Sequence, residues 1–113
     1  MALRDRHCEP SQRSTPRVSP SEFPTLLAEL PGWQIVDDHH LYKRFQFPDF
    51  ASALAAVQRV GAVAEAEGHH PDIGLRWGEL ELRIWTHVVG GLTENDFILA
   101  AKCEEAINNP SKP

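Results

Sequence analysis

In "ELELRIW", Leu80, Leu82 and Ile84 alternate with Glu81, Arg83 and Trp85. That period of two predicts a strand with one buried face and one polar face. "DIGLRW", just before it, reads as a partner strand joined around Gly78-Glu79, so the pair forms a hairpin. A second hairpin is predicted upstream. Ile35, and then Leu41, Lys43, Phe45 and Phe47, keep the same alternation, with "DDHH" as the turn. Between the hairpins, "PDFASALAAVQRVGAVAEAEG" changes period. Leu54, Val57, Val60, Gly61 and Ala64 recur at helical spacing, Asp49 can cap the start, Gly68 suits a left-handed stop and Pro71 forbids continuation. A last helix is predicted from Thr93, whose cap-like partner is Asp96, to about Ile107. A short first helix lies in "SPSEFPTLLAEL", where Ser19 and Glu22 have capping-box spacing, and it ends before "PGW". The order helix, two strands, helix, two strands, helix predicts an α+β fold, a four-stranded antiparallel sheet with three helices packed on one face.

Residues 1–20 show no periodicity and are rich in proline and serine, so they read as a flexible N-terminal tail. One domain is then expected over residues 21–108, with 109–113 as a C-terminal tail. A hydrophobic content of 42% in 113 residues supports a core. The formal charge of −5 and the absence of a basic run exclude a general binder of nucleic acid or of anionic membranes. No apolar run approaches the ~18 residues of a membrane span, and the N-terminal residues have no apolar signal region. Two cysteines, Cys8 and Cys103, make no disulfide framework, so a reducing, cytoplasmic setting is expected.

Candidate chemistry gathers at the breaks. His69 and His70 follow the glycine that stops the long helix, and His87 closes the last strand. Pairing of the last two strands brings His70 and His87 to the same end of the sheet. Imidazoles clustered there can donate and accept protons near neutrality. Taken singly, His69 could be a helix-end dipole partner and His87 an ordinary strand-end residue. His39 and His40, the same dipeptide in a turn, read as solvated turn residues. A metal site ranks below acid–base work, because adjacent histidines on extended chain point to opposite sides and Glu65 or Asp72 would have to complete the ligands. Cys103 reads as a small core residue. Trp33, Trp77 and Trp85 read as packing or interface; Trp85, on a polar strand face, hints at a covering partner. Asp96 is first of all a helix N-terminal carboxylate.

Taken together, "AEGHHPDI…W…TH…GLTENDFILAAK" closely resembles the pterin-4a-carbinolamine dehydratase family. The marks are His69-His70-Pro71, Thr86-His87, and Gly91-Leu92-Thr93 followed by Asp96, with "LPGW" and "FQFPDFASAL" upstream. The resemblance runs from about Ser21 to Ile107. It implies the α+β fold already predicted, association as a homodimer or homotetramer, and dehydration of 4a-hydroxytetrahydrobiopterin to the quinonoid dihydropterin. That reaction recycles the cofactor of aromatic amino acid hydroxylases. By position, His69, His70 and His87 match the family's catalytic histidines. Glu65, Pro71, Asp72, Thr86, Asp96 and Trp33 form the implied substrate-binding or supporting set. The resemblance implies a small-molecule pterin substrate and neither a metal nor an organic cofactor. Two positions depart from it: Gly68 stands where some members have an acidic residue, and Ser11 takes the second place of a C-x-x-C that begins here with Cys8. The alternative on the same fold is a non-enzymatic factor, serving transcription-factor dimerisation or assembly of a carbon-fixing enzyme.

Overall fold

A computed structural model describes residues 1–109. Of the expected C-terminal tail, 110–113 lie outside the described residues. Helix α1 spans Phe23–Leu27, strands β1 and β2 Gln34–Val36 and His40–Gln46, and helix α2 Phe50–Glu67. Strands β3 and β4 follow at Asp72–Arg76 and Glu79–Ile84, and helix α3 at Glu94–Asn108. The sheet is antiparallel throughout in the order β1-β2-β4-β3, so the predicted α+β architecture is present. Leu41 and Phe45 of β2, with Leu80, Leu82 and Ile84 of β4, turn one face inward, and α2 and α3 pack against it. Helix α1 reaches α3 through Phe23, whose ring centroid lies 6.1 Å from that of Phe97.

Local chemistry fixes the ends of these elements. Asp49 caps α2 by accepting the Ser52 N–H at 2.8 Å. Gly68, at φ +66°, ends the helix in the left-handed conformation and turns the chain into His69-His70. Thr93 and Asp96 form a complete capping box at the start of α3. The Ser19–Glu22 box also forms, but on a 3-10 turn at Pro20–Glu22, and α1 begins only at Phe23. The β3–β4 turn is Trp77-Gly78, one residue before the expected Gly78-Glu79 centre. A Cβ on Gly78 would sit 2.8 Å from the Phe47 carbonyl oxygen.

Three expectations need correction. The buried stripe of α2 is Ala53, Ala56, Val60 and Ala64, while Leu54 is 39% exposed. Small side chains let α2 approach α3 and the sheet closely, which rotates the large Leu54 outward. The reversal between β1 and β2 uses Asp37 and Asp38, both at positive φ, which aspartate tolerates. His40 therefore starts β2 instead of belonging to a solvated turn. Finally, residues 1–20 do not stand free as a tail. Leu3 and Val18 are buried in the core, and a 3-10 turn at Leu3–Asp5 packs on α3. The burial of Leu3 and the hydrogen bonds of the next residues hold the segment down, and neither depends on periodicity.

Candidate active site

The turn after α2, the start of β3 and the segment after β4 converge on one hollow of about 350 Å³. His69, His70, Pro71, Asp72, Thr86 and His87 all line it. The convergence follows from register. Asp72 faces Arg83 across β3–β4, so the residues before β3 lie beside those after β4. His87 itself sits beyond the strand, which stops at Ile84. It opens a 3-10 turn, His87–Val89, closed by the bridge between Thr86 and Gly91.

Beneath the hollow lies a buried relay. Asp96 is fully buried, and its Oδ1 is 2.6 Å from His69 Nε2. Its Oδ2 accepts the Thr86 hydroxyl and the Thr93 backbone N–H, both at 2.8 Å. Thr86 and Thr93 hydroxyls are themselves 2.8 Å apart. One oxygen thus caps the helix and fixes Thr86, and the other addresses the imidazole. An acceptor at Nε2 places the His69 proton there and leaves Nδ1 as the ring's basic atom. His69 is mostly buried, with 11% of its side chain exposed.

Glu65 does not support His69. Its Oε2 lies 2.5 Å from His70 Nε2, in an open ion pair whose histidine is 59% exposed. The His87 ring nitrogens take no hydrogen bond among the described residues. Its ring stacks on Trp85, centroid to centroid 4.4 Å. Trp85 also carries His39 at 5.1 Å and His40 at 5.9 Å. His39 and His40, expected to be solvated, are therefore half-buried in an aromatic cluster continuous with the site. Burial, then the neighbouring His39 and Arg83 charges, lower the His40 pKa from 6.5. The contact follows from β2–β4 register, since Leu41 faces Ile84, and His40 before the one falls alongside Trp85 after the other. Much of the polar-face surface of Trp85 is thus covered by the chain's own imidazoles.

Trp33 lies outside the hollow. It is buried against Phe45, and its Nε1 donates to Glu104 of α3 at 2.9 Å. Glu104 also holds Lys43 Nζ at 2.6 Å, which explains a lysine on the inward alternation of β2. Both thiols are free. Burial first, then the Glu67 carboxylate, raises Cys8 to about 12, and burial raises Cys103 to about 12. Neither is a ready nucleophile. Among the described residues, no three His, Cys, Asp or Glu side chains group so as to hold a metal ion. Two contributors escaped the sequence. Thr93 was visible as a cap but not as part of a relay, and Ser11, from the supposed tail, forms part of the wall.

Known proteins match this arrangement. The family model for pterin 4 alpha carbinolamine dehydratase matches residues 16–106. A protein of Rubrobacter xylanophilus, named as a candidate pterin-4-alpha-carbinolamine dehydratase, is 44% identical over 102 residues, covering 90% of this chain and 95% of its own. One of Halorhodospira halophila with the same name is 46% identical over 105 residues, covering 92% and 96%. Among solved structures, a transcriptional coactivator/pterin dehydratase from Brucella melitensis superposes with a TM-score of 0.76 at 32% identity, over 81% of this chain and 98% of that one. A pterin dehydratase-like protein identified as a RuBisCO assembly factor in the alpha-carboxysome shares the fold, with a TM-score of 0.59 at 22% identity over 72% and 94%. With nearly the whole chain matched in both sequence and fold, this protein belongs to the pterin 4 alpha carbinolamine dehydratase family.

Proposed function

We propose that the protein dehydrates 4a-hydroxytetrahydrobiopterin, or a close tetrahydropterin, to the quinonoid dihydropterin. The C4a–O bond breaks, the hydroxyl leaves with a proton from an acid, and the N5 proton passes to a base, so water is the net loss. His69 and His87 share these transfers, and His70, held by Glu65, positions the ring. The observation that carries this reading is the buried Asp96 relay, which orients His69 beside His70 and His87 in a single hollow. With Nε2 committed to Asp96, His69 offers Nδ1 as the base, and the unengaged His87 is suited to act as the acid. Asp72, Pro71 and Thr86 shape the walls. No cofactor enters the chemistry, because the pterin is the substrate.

Recycling of the pterin in the cytoplasm, by a homodimer or homotetramer, belongs to the same proposal. Native mass spectrometry reads the assembly directly. No helix among the described residues is long and apolar enough to cross a membrane.

The test is the decay of enzymatically generated 4a-hydroxytetrahydropterin with wild type and with His87→Ala. Wild type accelerates the decay, and the variant loses roughly 10²–10⁴ of that acceleration, the usual worth of a placed proton transfer. A folded wild type that accelerates nothing would transfer the reading to a binding or assembly factor on this fold.

A further inference from the structure

The first eleven residues are fastened at successive points. Leu3 is buried in the core and its N–H donates to Glu29 at 3.0 Å. The Cys8 N–H donates to Glu67 Oε1 at 2.7 Å, and the His7 ring lies 2.9 Å from Glu67 Oε2. Asn95 then clasps the chain as a neighbouring strand would. Its Oδ1 accepts the Glu9 N–H at 3.0 Å, and its Nδ2 donates to the Glu9 carbonyl at 2.7 Å and to Ser11 Oγ at 3.1 Å. Asn95 is 7% exposed, so this amide is spent on the segment and not on water.

Two of the fastening residues are also next to the chemistry. Glu67 stands two positions before His69, and Asn95 immediately precedes Asp96. Beyond the clasp, Ser11 emerges in the wall of the hollow beside the histidines. Its oxygen already accepts from Asn95, so the hydroxyl keeps its own hydrogen to donate. A pterin presents two acceptors at its edge, the C4 carbonyl oxygen and N1, among donors such as N3–H, N5–H and the 2-amino group. The histidines supply proton transfer and stacking, and the structure offers this fixed neutral donor from the opposite end of the chain.

We infer that Ser11, at the end of the clasped segment, forms part of the wall of the pterin site, and that it is a positioning residue whose hydroxyl hydrogen-bonds an acceptor on the ring edge. The inference rests on the dehydratase reading. It makes the N-terminal segment part of substrate recognition and not a tether, with Asn95 transmitting its position to the hollow.

Full-length wild type, Ser11→Ala, Ser11→Thr and Asn95→Ala are compared in dehydration kinetics. Binding is measured separately by tryptophan quenching with a 7,8-dihydropterin, which has no 4a hydroxyl and cannot turn over. Ser11→Ala should raise KM and the dihydropterin Kd roughly three- to tenfold, the range of one net hydrogen bond, and change kcat less. Ser11→Thr keeps a hydroxyl and should recover most of that loss. Asn95→Ala should weaken binding at least as much as Ser11→Ala. Unchanged Kd and KM in both Ser11→Ala and Asn95→Ala would overturn the inference while leaving the dehydratase reading intact. A wild type that neither binds the dihydropterin nor accelerates dehydration would sink both, and is recognised without any variant.

Discussion

Replacing Asp96 by asparagine changes one atom and one charge where three hydrogen bonds meet. The side-chain oxygen of the new residue has two lone pairs and is claimed by two donors, the Thr86 hydroxyl and the Thr93 N–H. The new NH₂ must then face His69, where Oδ1 now lies 2.6 Å from Nε2. Two donors cannot share that gap, so the imidazole moves its proton to Nδ1 and its basic atom turns toward Asp96's replacement. On the dehydratase reading we propose, the base is lost without any loss of volume. Charge-assisted bonds contribute about 1.5–3 kcal/mol and neutral ones about 0.5–1.5, so the cap should weaken by about 2 kcal/mol. That lowers Tm by roughly 10 °C and leaves the chain folded at 25 °C. The rate should fall by at least ~10², equivalent to about 2.7 kcal/mol of barrier. Initial dehydration rates at 25 °C give the kinetic half, and proton–nitrogen correlation spectra of the imidazoles give the tautomer. A variant within about threefold of wild type, under 0.7 kcal/mol of barrier, would refute the relay. So would a His69 that still carries its proton on Nε2.

Acid should release the N-terminal segment before it unfolds the domain. Burial pushes the Glu67 carboxyl up, but the Cys8 N–H, His7 and Lys102 outweigh it and hold it below 4.5. A carboxyl depressed on folding adds stability that is full above that unfolded value and is lost as pH falls through the folded one. Amide exchange at Cys8, corrected for its intrinsic pH dependence, should lose protection below about pH 4.5 ahead of the sheet, and Glu67→Gln should abolish the trend; protection flat in pH would count against it. Gly78→Ala forces a Cβ onto the Phe47 carbonyl oxygen and should cost about 1–3 kcal/mol in urea unfolding. A cost under about 0.5 kcal/mol would show that the turn yields freely.

The sequence made plain whatever one segment decides for itself. Leu80, Leu82 and Ile84 announced β4, Gly68 the end of α2, and Thr93 with Asp96 the start of α3. The histidines could be brought together because hairpin register is nearly local. What escaped depends on partners distant along the chain. Glu65 lies four residues before His69, yet it pairs with His70 once Gly68 has broken the helical spacing. His39 and His40 stack on Trp85 because β4 inserts between β2 and β3, a sheet order that neither hairpin reveals alone. Trp33 travelled with the family pattern, but its indole N–H is satisfied by Glu104, away from the hollow. The N-terminal segment is held by one buried leucine, by scattered ion pairs and by backbone amides that side chains far along the chain accept, so no local pattern announced it.

The capping box of α3 has a consequence for anyone who redesigns this protein. The carboxylate that closes the capping box also holds the His69 imidazole, which is the base on the dehydratase reading we propose, so a single side chain answers to two demands. At an N-cap, serine, threonine, asparagine and aspartate replace one another at small cost, but Asp96 stands three residues further in, where its carboxylate reaches back to the Thr93 N–H. Here that freedom is withdrawn. A stabilisation campaign that treats Asp96 as an ordinary helix-start residue would lose part of the cap and, on the proposed dehydratase reading, the turnover with it. Conversely, a descendant of this chain released from its chemistry could change Asp96 early, because only a modest stability cost would then hold it in place.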